Sequence, residues 1–125
     1  MPLRVLVVDD DDDIRKLLEL SLGALEEVEL VGQARDGGEA VEKVEVLRPD
    51  IVVMDLMMPN MDGAQATEMI KRLFPEVVVI GFTAMESDGL EKLVRAGATS
   101  VIEKTSFPRL MELIKTLRSG TDHQQ

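Results

Sequence analysis

Apolar residues in this chain fall into two rhythms. The first is a set of short unbroken runs: Val5 to Val8, Ile51 to Met54 and Val77 to Ile80. Each is too short for a buried helix and predicts a strand covered on both faces. Val28 to Ala34 alternates more and predicts an edge strand with one wetter face. Ser100 to Glu103 predicts a short fifth strand. The second rhythm is helical and follows each strand in turn. Its stripes are Ile14, Leu17, Leu18, Leu22 and Leu25; Ala40, Val41, Val44 and Leu47; Ala66, Met69, Ile70 and Leu73; Leu90, Leu93 and Val94; and Leu110, Leu113, Ile114 and Leu117. Punctuation agrees with these breaks. Asp12 or Asp13 suits the amino end of the first helix. Arg48-Pro49 ends the second, because proline disfavours helical geometry in the residue before it. Phe74-Pro75 stops the third, Gly97 fits a left-handed cap on the fourth, and Ser106 opens the fifth. Strand and helix alternating five times predict a parallel sheet with helices on both faces and right-handed crossovers. One domain is expected over residues 1–119, with 120–125 a disordered polar tail.

Composition narrows the chemistry. The 125 residues suffice for one packed core, and the apolar share of 45% excludes an intrinsically disordered chain. Cysteine is absent, which excludes disulfides, thiol catalysis and thiolate-bound metals. A net charge of -10 argues against direct contact with nucleic acid or an anionic membrane. No apolar stretch approaches membrane-spanning length and no signal peptide precedes the first strand, so a cytoplasmic location is expected. Tyr and Trp are absent, which removes the usual platforms for stacking bases or flavins.

The charged and hydroxylic residues just past each strand carry the candidate chemistry. Asp9 and Asp10 follow the first strand, Asp55 the third, Thr83 the fourth and Lys104 the fifth. A parallel sheet gathers these ends on one edge, where ligands collect in open α/β folds. Each residue alone has a plain structural role: an aspartate that caps a turn, a turn threonine, a lysine guarding an edge strand. Asp11, Asp12 and Asp13 fit a solvated helix cap best. Together the others fit a reaction centre. Three close carboxylates repel unless a cation joins them. Mg2+ prefers such oxygen ligands and is often completed by phosphate. Lys104 suits a phosphoryl oxygen, and Thr83 can donate a hydrogen bond to another. One carboxylate, Asp55 being the most central, then serves as nucleophile.

From about Leu3 to Arg118 the chain resembles the response-regulator receiver domains of two-component signalling. The markers are Val7-Val8-Asp9-Asp10, Asp55-Leu56-Met57-Met58-Pro59-Asn60-Met61-Asp62-Gly63, Thr83-Ala84, Gly97-Ala98 and Lys104, in order and at family-like spacing. The resemblance implies a flavodoxin-like doubly wound sheet of order 2-1-3-4-5. It implies that Asp55 accepts a phosphoryl group from a phosphohistidine on a sensor histidine kinase. Asp9, Asp10, Asp55 and the backbone carbonyl of Met57 would hold Mg2+. Thr83, Lys104 and the Ala84 amide would hold the phosphoryl oxygens. The phosphorylated site would then bias the face of the fourth helix, fifth strand and fifth helix towards a downstream effector. That makes the chain a switch that catalyses its own phosphoryl transfer rather than a turnover enzyme. A phosphorylation-dependent homodimer through that face is compatible with the pattern.

Departures from the family shape further expectations. Val101 stands three residues before Lys104, where the family often has an aromatic residue or histidine, so an aromatic rotamer switch is not expected. Thr105 replaces the family's common proline after the lysine. Met57 and Met85 flank the expected mouth of the site and offer no group to orient an attacking water. Slow self-dephosphorylation follows, to be hastened by Met57→Asn with Met85→Glu. Two other readings share parts of this pattern. A haloacid-dehalogenase-type phosphatase needs a second aspartate where Met57 stands. A receiver-like interaction module working without phosphorylation would not need all five charged and hydroxylic residues. The effector, the cognate kinase and any further domain are not written in the sequence.

Overall fold

The structure, a computed structural model, describes residues 1–84 and 87–123. In chain order its elements are β1 (Leu3–Val8), α1 (Asp12–Gly23), β2 (Val28–Ala34), α2 (Gly37–Leu47), β3 (Ile51–Met54), α3 (Gly63–Leu73), β4 (Val78–Thr83), α4 (Ser87–Ala96), β5 (Ser100–Glu103) and α5 (Phe107–His123). A 3-10 turn, Lys104–Ser106, joins β5 to α5. Among the described residues the strands form one parallel sheet in the order β2-β1-β3-β4-β5. The doubly wound α/β fold expected from the alternation is the fold observed. No described helix is long and apolar enough to cross a membrane.

The unbroken apolar runs are explained by two cores, one on each face of the sheet. Alternate residues of a strand point to opposite faces. Leu6, Val8, Val52, Met54 and Val79 therefore pack beneath α2, α3 and α4, with Ala40, Val44, Ala66, Ile70 and Leu93. Val5, Val7, Val53, Ile80 and Phe82 pack beneath α1 and α5, with Leu18, Leu22, Leu110 and Ile114. A strand covered on both sides needs no polar face, which is why β1, β3 and β4 read as continuous runs. β2 lies at the sheet edge and is mostly half-buried, as its alternation predicted. Val5 pairs with Leu30 but Leu6 with Gly32, so the β1–β2 register slips by one residue at Val31.

Register also sets the site. Val8 of β1 lies opposite Met54 of β3, and Met54 lies opposite Gly81 of β4. The first residues past β1 and β3 are thus level, and their amides continue the ladder. Asp9 N donates to Ala34 O at 3.0 Å, and Asp55 N donates to Val8 O at 3.0 Å.

Several local expectations are corrected. Asp11, not Asp12 or Asp13, caps α1: its carboxylate accepts the amides of Asp13 and Ile14. Asp12 and Asp13 lie in the first turn, where their charge suits the helix dipole. Leu17, Met69, Leu73 and Val94 were expected inside and are exposed. Leu17, Met69 and Val94 each sit about 100° around the helix from a buried neighbour, and the sheet accepts only a narrow stripe. On α3 that stripe takes in Thr67 instead. Arg48 ends α2 immediately before Pro49, but in the left-handed region (φ 49°), not in the extended geometry that a following proline favours. α5 is described through His123, and residues 124–125 lie outside the described residues.

Candidate functional site

Asp55 follows β3 directly and is buried, as are Asp9 after β1 and Thr83 at the end of β4. Asp10 is exposed beside Asp9. One carboxylate oxygen from each of Asp9, Asp10 and Asp55 lies within 4.8 Å of the others. Lys104 reaches in from the end of β5, its Nζ 2.9 Å from Asp9 Oδ2 and 3.4 Å from Asp55 Oδ2. Asp9 Oδ1 accepts the Asp11 amide at 2.9 Å. Four strand ends therefore deliver three carboxylates, one ammonium and one hydroxyl to a single place. Ala84 follows Thr83 and is exposed, and the Met57 side chain is likewise exposed. Met85 lies outside the described residues.

The loop after β3 is folded back over Asp55. The Gly63 amide donates to Leu56 O at 2.9 Å. A Cβ on Gly63 would overlap the Asp55 backbone oxygen, so only glycine permits this approach. Asp62 then starts α3 with a capping box: its carboxylate accepts the Gln65 amide, and Gln65 Oε1 accepts the Asp62 amide.

The electrostatics leave the acids short of positive charge. Burial raises the Asp55 carboxyl from 3.8 to about 6, and the neighbouring Asp9 carboxylate adds to the rise. Lys104 and, more weakly, the Thr83 hydroxyl oppose it. Burial alone would lower the Lys104 ammonium, but its hydrogen bond to Asp9 and the two carboxylate charges outweigh that and raise it. The two results agree physically: one ammonium shared by two buried carboxylates is held tightly, yet does not fully balance either. Thr83 Oγ1 is buried without a hydrogen-bond partner of good geometry. A buried hydroxyl without a partner costs free energy, and a ligand oxygen would relieve it. An oxygen-only donor set with excess negative charge fits a hard divalent cation.

Arg15 was not singled out in the sequence. Its Nη1 donates to the Asp9 carbonyl at 2.7 Å, and its Nε to Gln33 Oε1 at 3.2 Å. It also pairs with Asp12. The guanidinium thus fixes the backbone beside the acid pair. A lone arginine one turn beyond an aspartate run was the available signal.

A doubly wound α/β domain with an acid pocket at the carboxyl edge of its sheet is the class that fold and site define. Residues 5–117 match the response regulator receiver domain, and the chain belongs to that family. It is a phosphorylation-based signalling domain of the response-regulator kind. Over 109 residues it is 43% identical to protein-glutamate methylesterase/protein-glutamine glutaminase 4 of Myxococcus xanthus, a stretch covering 86% of this chain and 31% of that protein. The chain spans a third or less of the length of the curated relatives it matches. The response regulator domain of Thermotoga maritima CheB superposes with a TM-score of 0.85 at 32% identity, covering all of both chains. CheY in the CheX-CheY-BeF3-Mg2+ complex of Borrelia burgdorferi gives 0.78 at 28% identity, covering 91% of this chain and 90% of that one.

Proposed function

We propose that Asp55 is the phosphoacceptor and that a sensor histidine kinase supplies the group. A carboxylate oxygen of Asp55 attacks phosphorus. The bond from phosphorus to the donor imidazole nitrogen breaks, and the electron pair leaves with that nitrogen, which is reprotonated. The observation that carries this reading is the placement of Asp55, buried and central, with Asp9, Asp10 and Lys104 all within reach. Such transfers depend on position and charge neutralisation more than on acid-base groups.

Asp9, Asp10 and Asp55, with the Met57 backbone carbonyl, would hold Mg2+, which supplies charge neutralisation for the phosphoryl oxygens. The presence of Mg2+ in the structurally similar CheX-CheY-BeF3-Mg2+ complex of Borrelia burgdorferi supports Mg2+ as the cation. Lys104 leaves its double contact with Asp9 and Asp55 to meet one phosphoryl oxygen. Thr83 Oγ1, held at present only by a weak contact with Asp55, donates to another, with the Ala84 amide beside it. Both moves pull on the ends of β4 and β5, and so on α4 and α5. We read the output as a changed α4–β5–α5 face offered to an effector. The likeness to receiver segments of protein-glutamate methylesterases supports control of an effector of that kind.

The test is intact-protein mass after incubation with acetyl phosphate, with and without Mg2+, beside Asp55→Asn. One added phosphoryl group, dependent on Mg2+ and missing in the variant, is the expected result. No adduct, and no change on titration with beryllofluoride, would favour an interaction module that works without phosphorylation.

A further inference from the structure

The loop that carries Met57 touches a helix that contributes no side chain to the acid pocket. At the start of α2 the Gly37 amide donates to the Met61 carbonyl at 3.0 Å. A Cβ on Gly37 would stand 2.5 Å from that oxygen, and 2.8 and 2.9 Å from Met61 Cγ and Cβ. The oxygen belongs to the backbone, so any side chain at position 37 drives the loop and the helix apart. The preceding Asp36 divides its carboxylate between the same two partners. Oδ1 accepts the Glu39 amide at 2.8 Å and caps α2, while Oδ2 accepts Asn60 Nδ2 at 3.4 Å. Asn60 is held in the left-handed region, φ 67°.

We infer that Gly37 and Asp36 are positioning residues for the acid pocket. The start of α2 is the stop against which the loop from Leu56 to Asp62 is set. It holds the Met57 carbonyl at the pocket mouth before any cation arrives. The inference rests on the functional reading above, which makes that carbonyl a ligand. A backbone ligand cannot be tuned by its own side chain; it is placed by whatever holds the backbone on either side. On the α3 side the hold is the Gly63 amide on Leu56 O and the Asp62 capping box. On the α2 side it is Gly37 and Asp36. Met57 lies between the two anchors.

Gly38 supplies a matched control. It occupies the same first turn, and a Cβ there would meet only Asp36 Oδ1 at 3.5 Å, an ordinary contact. Gly37→Ala and Gly38→Ala therefore change helix propensity alike, and only the first disturbs the loop. Hydrogen exchange of the metal-free protein is the first readout. Gly37→Ala is expected to speed exchange at the Gly63 amide, and Gly38→Ala is not. Calorimetric titration with Mg2+ is the second. Gly37→Ala is expected to weaken binding about 10-fold, the usual scale for losing an outer support of a metal ligand, with Gly38→Ala unchanged. Phosphorylation by acetyl phosphate should fall by the same factor at low Mg2+ and recover at saturation. Should Gly37→Ala fail to fold, Asn60→Gly keeps the left-handed backbone, removes the Asp36 contact and should weaken Mg2+ binding in the same direction. Wild-type exchange and Mg2+ affinity in a folded Gly37→Ala or Asn60→Gly protein, whatever its thermal stability, would overturn the inference. Absence of Mg2+ binding by the wild-type protein would instead remove the functional reading, while exchange at Gly63 still judges the α2 stop.

Discussion

Asp55 lies between a second carboxylate and an ammonium that it must share, and burial presses on it from all sides. Its carboxyl, raised from 3.8 to about 6, binds a proton more tightly folded than unfolded. Its contribution to stability is therefore most favourable below pH 3.8 and is lost as pH rises through about 6. A shift of that size corresponds to roughly 2–3 kcal/mol. In the metal-free protein, Asp55→Asn should be more stable than wild type at pH 7.5 by about 2 kcal/mol. The gap should close towards pH 4. Urea unfolding of both proteins across that range measures it, and a gap independent of pH would refute the assignment. The main charged residues of the pocket were legible in the sequence because each follows a strand, and strand ends in a parallel sheet share an edge. Lys104 standing nearer Asp9 than Asp55 was not legible, nor was the grip of Arg15 on the Asp9 backbone. Such contacts depend on distances between elements, which spacing along the chain does not record.

Existence and order of the elements were readable because two-sided burial writes itself as unbroken apolar runs. Which turn of each helix faces inward was less so. Leu17, Met69 and Val94 are apolar, yet lie on the flank of a stripe whose width depends on how closely the helix approaches the sheet. Capping was readable to within a residue: Asp11, Asp12 and Asp13 are chemically alike, and only the chain direction leaving β1 selects Asp11. Lys71 shows what pattern cannot disclose. Its Nζ donates to Pro75 O at 2.8 Å and to Val77 O at 2.7 Å, tying the end of α3 to the approach of β4. Its stem packs against Gly97, whose φ of 117° closes the end of α4. Lys71→Met keeps the stem and loses both bonds, so it should cost about 1–3 kcal/mol. Mg2+ affinity should stay the same, since the pocket lies at the opposite end of the strands. A chemical melt and a Mg2+ titration on the same sample check both halves.

Over the whole molecule the excess of negative charge, -10, makes any added cation stabilising to some degree. A specific site adds a saturable term to that background. At a hundred times its Kd, Mg2+ should contribute about 2.7 kcal/mol, which for a domain of this size is on the order of 10 °C in Tm. Sodium chloride at matched ionic strength should give much less. Asp10→Asn, an exposed change that leaves both cores intact, should keep the salt response and lose the Mg2+ response. Thermal melts in the two salts distinguish them, and equal responses would leave no specific site.

The slipped register beside Val31 has a consequence outside signalling. A strand at the border of a sheet is a template on which other chains can add. Here the border strand is one residue out of step with its own neighbour, and Lys43 already occupies the Gln33 carbonyl. At the far border β5 is only four residues long. An incoming strand finds an interrupted row of donors and acceptors on one side and little length on the other. The same irregularity that looks like a flaw in the ladder is one of the devices by which sheet proteins blunt an edge against adding further strands.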